Sequence, residues 1–233
     1  MADKLAGFFV KLGYDLYNNL IEKGRYITIL TGLRNTLLIA LCAIVIGTVI
    51  GALIALCRLS KNGFLRGIGS GYVTIIRGVP LVTQLMIFYF VIFGPMGWDK
   101  ILVSIIGFGI NSGGYVAEIF RAGIQAVDKG QMEAGRSLGL NKTQAMMKII
   151  LPQAIKNILP TYTSEFITLI KETSVAGYIA VQDLTKSGDM IRNATYNAWI
   201  PLLSVAIIYL VLTLGLAKLF TLLERRLARS DRG

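Results

Sequence analysis

The chain has 233 residues, 54% of them hydrophobic, with 24 Lys and Arg against 13 Asp and Glu and a net charge of +11. That apolar content is too high for an ordinary soluble domain, and the combination of no histidine and two cysteines excludes a zinc cluster. No Gly-Lys dipeptide occurs, so the chain has no phosphate-cradling loop, and any ATP that drives it is bound elsewhere. The basic residues flank repeated apolar runs of about twenty residues, the length a helix needs to cross hydrocarbon. Anionic lipid headgroups, rather than nucleic acid, are their natural counterpart.

Residues 1–25 place Leu5, Phe8, Phe9, Leu12, Leu16 and Leu20 at helical spacing, interrupted by Lys11 and Asp15. This is too polar to span and lacks the core of a signal peptide, so an amphipathic helix in the interface is expected. The first span runs from about Ile27 to Leu56, with Arg34 and Asn35 near its start and Arg58, Lys61 and Arg66 just beyond it. Gly47 and Gly51 form a small-xxx-small pair open to another helix. Cys42 and Cys57 lie fifteen residues apart on this helix, about 22 Å along its axis, too far to bond to each other.

The second span, about Tyr72 to Phe93, contains Arg77-Gly78-Val79-Pro80. Gly allows a break there and Pro suits the first turn of a new helix. The new N-terminus would present free N–H groups beside a guanidinium, a seat for a carboxylate. Arg77 equally fits a side chain snorkelling to the near headgroups. Thr83 and Gln84 offer hydrogen bonds to a ligand or to a neighbouring helix. A short turn, Gly94 to Lys100, leads to a third span from about Ile101 to Phe120 that carries Asn111, Tyr115 and Glu118. Glu118 and Arg121 are placed for a structural salt bridge.

Asp128 to Pro152 is polar and lies between apolar spans. Asp128 caps a helix whose positive end lies near Glu133, Gly139 takes the left-handed conformation that ends it, and Asn141 caps the next. The resulting hairpin is either a docking element facing water or an ordinary exposed loop. The fourth span, about Ile149 to Ile170, carries Pro152 and Pro160, both expected to bend it. Glu165, Thr168 and Glu172 share one of its faces. Two carboxylates so placed can hold an ammonium or guanidinium group, or be neutralised by Lys171 or Lys156. The stretch 171–195 is too mixed to cross, and its SVAGYIAVQDL portion fits a short helix at the far surface. The fifth span runs from about Ala198 to Leu223, followed by Arg225, Arg226, Arg229 and Arg232. With the hairpin inside, twelve Lys and Arg face the cytoplasm against eight outside, which puts the N-terminus out and the C-terminus in.

Glu133-Ala134-Gly135, Gly139 and the Ile149, Leu151, Pro152 series resemble the loop of ABC-importer membrane subunits, in which Glu-Ala-Ala precedes a Gly and an Ile-x-Leu-Pro. Gly135 stands where that family usually has Ala, which weakens the helix by roughly 1 kcal/mol. The segments TGLRNTLLIA, IIRGVPLVTQL, GGYVAEIFRAGIQAV and SEFITLIKETS are similar to the polar amino-acid branch of these permeases, and the likeness covers residues 28–225. It implies a type I ABC importer transmembrane domain: an all-α polytopic membrane protein with about five transmembrane helices and a cytoplasmic coupling helix. The interfacial lead 1–26 and a basic cytoplasmic tail 226–233 would flank it.

The resemblance further implies a bacterial-type inner membrane, a second permease subunit (identical or similar), two cytoplasmic ATPase subunits and an extracytoplasmic amino-acid-binding protein. Glu133, Ala134, Gly135 and Gly139 would couple to the ATPase. Arg77, Glu165 and Glu172 would line the pocket for a polar or cationic amino acid, with Thr83, Gln84 and Thr168 beside them. Relatives often have Asp where this chain has Glu172. No catalytic residue, metal or cofactor is expected in this chain, since ATP and Mg belong to the partner ATPase. The rival reading is an ion-coupled secondary transporter or channel, which predicts transport without ATP and gives the hairpin no task. A non-transporting membrane scaffold is a third, and it predicts that the Glu residues on the fourth span can be neutralised freely.

Overall fold

The computed structural model describes residues 13–229. The expected roles of Leu5, Phe8, Phe9, Lys11 and Leu12 fall outside the described residues, as does Arg232. Within the lead, Tyr17–Ile21 forms a π-helical turn, and Leu20 packs on a cluster of Ile29, Leu184, Ile191 and Val205.

Nine α-helices follow among the described residues, here labelled in chain order. They are α1 (Tyr26–Leu59), α2 (Gly63–Gly78), α3 (Leu81–Met86), α4 (Lys100–Gln125), α5 (Lys129–Ser137), α6 (Lys142–Ala145), α7 (Leu151–Glu172), α8 (Leu184–Thr195) and α9 (Trp199–Arg229). A π-helical run, Ile87–Phe93, and a 3-10 turn, Gly94–Met96, prolong α3. Among the described residues, Tyr26–Leu59, Lys100–Gln125 and Trp199–Glu224 are long and apolar enough to cross a membrane. The second span is not one straight helix beginning near Tyr72. It starts at Gly63, breaks after Gly78 and resumes at Leu81, with the two halves bent by 101°. Its first half was passed over because Gly63, Gly67, Gly69, Gly71 and Arg66 dilute the apolar signal. The fourth span, α7, has 22 residues, about 33 Å of helix, but is more polar than the others.

The α1–α4 pair forms the spine. Lipid tails are as apolar as leucine, so membrane helices associate through close packing rather than hydrophobic drive. Here each helix offers glycines to the other's side chains. A Cβ added at Gly51 would stand 2.6 Å from Val116 Cγ1, and one at Gly47 3.0 Å from Ser112 Cβ. In return, Cβ atoms at Gly109 and Gly113 would stand 2.7 Å from Ile46 Cγ2 and 2.8 Å from Ile50 Cγ2. The small-xxx-small pair on α1 is therefore used, with α4 as its partner. Ile39, Ala43, Leu85, Phe108, Val116 and Leu169 form the core around this seam.

At the end away from the hairpin, α1 is tied to the 3-10 turn Thr173–Ile179 and the start of α8. The short helix expected over SVAGYIAVQDL is this turn, and the regular helix begins only at Leu184. Asn35 Nδ2 donates to Gln182 O (2.8 Å), Gln182 Nε2 to Thr28 O (3.3 Å) and Leu184 N to Thr36 Oγ1 (3.1 Å). Asp183 caps α8, its Oδ1 accepting from Thr185 N at 2.6 Å and Lys186 N at 3.1 Å. It is fully buried, and burial pushes its carboxyl up to about 6. On α7, Pro152 falls in the first turn, where its missing N–H is harmless, so only Pro160 interrupts the helix interior. Both cysteines are free.

Two outcomes test this packing. Gly51→Ala forces a methyl onto Val116 and lowers stability by about 1–3 kcal/mol, read as an earlier thermal transition in detergent, whereas Gly71→Ala, which meets nothing within 4 Å, leaves it in place. The folded Asp183 holds its proton up to about pH 6, whereas an unfolded Asp releases it near 3.9, so its contribution to stability falls as pH rises between those values. Asp183→Asn keeps the capping oxygen and flattens that slope in the same measurement.

Candidate functional site

The break between α2 and α3 follows from Gly78-Val79-Pro80. Proline pushes the preceding residue out of the helical region, and Val79 is extended at φ −105°, ψ 134°. Pro80 precedes the new helix rather than standing in its first turn, which starts at Leu81. Such a break strands carbonyl groups at the end of α2. Gln84 reaches back to them, its Nε2 donating to Ile76 O at 2.7 Å and Val79 O at 2.8 Å. Its Oε1 accepts from Asn111 Nδ2 on α4 at 3.3 Å. Gln84 is buried and fully engaged, so it acts on the break and does not face a ligand. Thr83 lies exposed in the first turn of α3.

Arg77, at the exposed end of α2, places its guanidinium 5.2 Å from the centre of the Tyr115 ring, a cation–π contact. The side chain therefore turns toward α4. On α7, Glu165 is half-buried and its Oε1 accepts from Ser112 Oγ on α4 at 3.2 Å. Glu165 also feels the like charge of Glu172 and, more weakly, the opposite charge of Arg77, and Glu172 feels that of Lys171 beside it. Thr168 is half-buried between the two carboxylates. The same side of α7 also leaves Asn157, Thr161, Ser164 and Lys171 exposed. A helix inside a bilayer cannot turn such a face to lipid.

The α4 run Asn111-Ser112-Gly113-Gly114-Tyr115 thus touches the break, Glu165 and Arg77 in turn. Its two glycines let neighbours close in: a Cβ at Gly113 would stand 3.0 Å from Tyr72 Oη, and one at Gly114 2.9 Å from Ile76 Cγ2. Tyr72 also donates to Ile110 O at 2.6 Å. Sequence reasoning noted Asn111 and Tyr115 as polar positions in a span but assigned them no partner, and it passed over Ser112 and Tyr72. The usable signal was a cluster of hydrogen-bonding side chains around a Gly-Gly pair in mid-span.

Nearer the hairpin, Glu118 accepts from Arg121, as expected, and also from Arg58 on α1, which sequence spacing could not pair with it. Arg121 Nη1 additionally donates to Gln125 Oε1 at 2.5 Å. The hairpin has the caps its residues called for. Asp128 Oδ1 accepts from Gly130 N at 2.6 Å, Gly139 takes φ +88°, and Asn141 and Gln144 exchange two bonds of 2.9 Å. Glu133 differs from expectation: it sits in the second turn of α5, beyond the N–H groups that carry the positive end of the dipole. Glu133 and Ala134 are exposed, and so are Leu138 (82%) and Met147 (58%). Gly135 faces inward, where a Cβ would stand 2.6 Å from Ile149 Cδ1.

The comparisons agree with this arrangement. Residues 47–229 match the family described as binding-protein-dependent transport system inner membrane component. The chain is 39% identical over 205 residues to the arginine transport system permease protein ArtQ of Bacillus subtilis (strain 168), covering 87% of this chain and 94% of that one. It is 41% identical over 201 residues to a protein of Rickettsia bellii (strain RML369-C) assigned as a glutamine transport system permease, GlnP, covering 85% and 92%. A solved amino acid ABC transporter with histidines superposes with a TM-score of 0.81 at 42% identity, covering 86% of this chain and 94% of that one. At 21% identity, an inward-facing MetNI methionine ABC transporter shares the fold with a TM-score of 0.70, covering 85% and 94%. The broken second span, the polar face of α7 and the doubly capped hairpin are thus found in a chain that belongs to the binding-protein-dependent transport system inner-membrane components, as a multi-pass permease of the amino-acid ABC importer type.

Proposed function

We propose that this permease pairs with a second permease subunit, identical or similar, so that the polar face of α7 lines a pathway between them. The exposed and half-buried series Asn157, Thr161, Ser164, Glu165, Thr168, Lys171 and Glu172 carries this reading. In one subunit alone it would meet hydrocarbon, at a cost of several kcal/mol for the ionised groups. Arg77, together with the free N–H groups at the start of α3 and the Thr83 hydroxyl, takes the α-carboxylate of the amino acid. Glu165 and Glu172, with Thr168 between them, take the amine and any cationic side chain. Relatives assigned to arginine and to glutamine fit a ligand of this class.

The hairpin is the contact for a cytoplasmic ATPase, two copies of which would serve the pair of permeases, and ATP and Mg are held there. Its caps make it stiff enough to pass on a push, and Glu133, Ala134 and Gly139 lie on its accessible side. That places the hairpin and the C-terminus in the cytoplasm and the N-terminus outside, where a binding protein delivers substrate.

Two experiments test this. In vesicles containing the full importer, Arg77→Ala and Glu165→Gln each reduce ATP-driven amino-acid uptake at least about tenfold, equivalent to about 1.4 kcal/mol. Uptake unchanged by either substitution removes the pocket. In co-purification, the ATPase is retained by the wild type and lost with Glu133→Arg and with Gly139→Trp. Transport that persists without any ATPase would instead favour ion coupling.

A further inference from the structure

The pocket assignment leaves open what holds its two opposite charges apart. Arg77 and Glu165 sit on different helices, α2 and α7, and neither is fixed by its own backbone. Both lean on α4. Ser112 Oγ donates to Glu165 Oε1 at 3.2 Å, and the Tyr115 ring lies under the Arg77 guanidinium at 5.2 Å. Residues three apart on a helix project to the same side with Cβ atoms about 5–6 Å apart, so the two supports form one rigid element. The glycines between them hold α2 and α1 close, and neither tolerates a methyl without displacing Tyr72, Ile76 or Ile50. Ser112 is itself almost fully buried and pressed against Gly47 of α1, which pins its hydroxyl.

Resting on the assignment of Arg77 and Glu165 to the substrate, we propose that Ser112 and Tyr115 are specificity-determining positioning residues: α4 serves as a ruler that fixes the gap between the site's cation and its anion. Ser112 supplies a single O–H, which orients the Glu165 carboxylate through one oxygen and leaves the other for the ligand's ammonium. Tyr115 holds the guanidinium by its face, leaving the in-plane N–H donors for a carboxylate. A gap set in this way suits an amine and a carboxylate borne on the same carbon. It disfavours homologues in which one or more methylenes separate them.

The test uses the assembled importer (permeases, ATPase and binding protein) in vesicles, with radiolabelled L-arginine and L-glutamine as probes and their β-homologues as competitors. Ser112→Ala and Tyr115→Leu raise KM about tenfold, the size expected for losing one hydrogen bond to a charged group or one desolvated cation–π contact, while maximal uptake changes less than about twofold. Both also narrow the preference for α- over β-amino acids, whereas Tyr115→Phe, which keeps the ring, restores the wild-type KM. Unchanged KM and unchanged α/β preference in Ser112→Ala and Tyr115→Leu overturn the proposal, even where Arg77→Ala and Glu165→Gln abolish uptake and the pocket stands. If Arg77→Ala and Glu165→Gln are also silent, the pocket itself falls and the ruler with it. Ser112→Ala removes one oxygen and adds nothing, so it decides the matter alone if Tyr115→Leu fails to assemble.

Discussion

Close backbone approach between α1 and α4 is the constraint on which the remaining geometry rests. Isoleucines 46 and 50 enter the space left by Gly109 and Gly113, and Ser112 and Val116 enter that left by Gly47 and Gly51. With this seam shut, α4 presents its polar pentapeptide at a fixed depth. From there Asn111, Ser112 and Tyr115 reach three separate elements through contacts of a few ångströms. Larger residues at the seam would part the helices by more than the tolerance of a hydrogen bond, and the network would fail as a unit.

What the sequence made legible was mostly local. Gly78-Val79-Pro80 announced a break, Asp128, Gly139 and Asn141 announced the hairpin's caps, and the i, i+3, i+7 spacing put Glu165, Thr168 and Glu172 on one face. Each depends on chemistry within about two helical turns. For Gln84 the sequence left a ligand and a neighbouring helix equally open, because its task arises only after the chain bends. The 101° turn brings the stranded carbonyls of Ile76 and Val79 to its amide, and no pattern in one dimension records that need. The pairing of Arg58 with Glu118 and of Ser112 with Glu165 spans 60 and 53 residues, beyond any periodicity argument. The start of the second span was missed for a different reason, since a glycine-rich helix facing another surface need not look apolar.

Charge is arranged in two layers with different work. Farther from the hairpin, exposed Arg77 and half-buried Glu165 are each supported by a neutral neighbour, Tyr115 and Ser112, which in the proposed pocket leaves their charges available to a ligand. Near the hairpin the opposite holds: two guanidiniums close on the one carboxylate of Glu118 and knit α1 to α4. A pocket must leave polar groups under-used, whereas a strut must satisfy them. At the hairpin itself Gly135 accommodates Ile149, which tucks α5 against the stem of α7. A displacement of α5 is thereby felt by the helix that carries both carboxylates.

The Gln84 bridge has a mechanical consequence. A glycine–proline break in a membrane helix is commonly regarded as a swivel, but here one amide clasps the last turn of α2, the linker and, through Asn111, α4 as well. Swinging the two halves would expose two carbonyls and an amide to a medium that cannot hydrate them, at roughly 1–3 kcal/mol apiece. The elbow is therefore locked, and α2, α3 and α4 travel as one plate. In the proposed pocket Arg77 rides on that plate while Glu165 rides on α7 and meets it through the one Ser112 bond, so sliding the plate against α7 would break that bond. The gap that α4 sets would then widen, and the same motion that opened the path would part the proposed cation from its anion and free the amino acid.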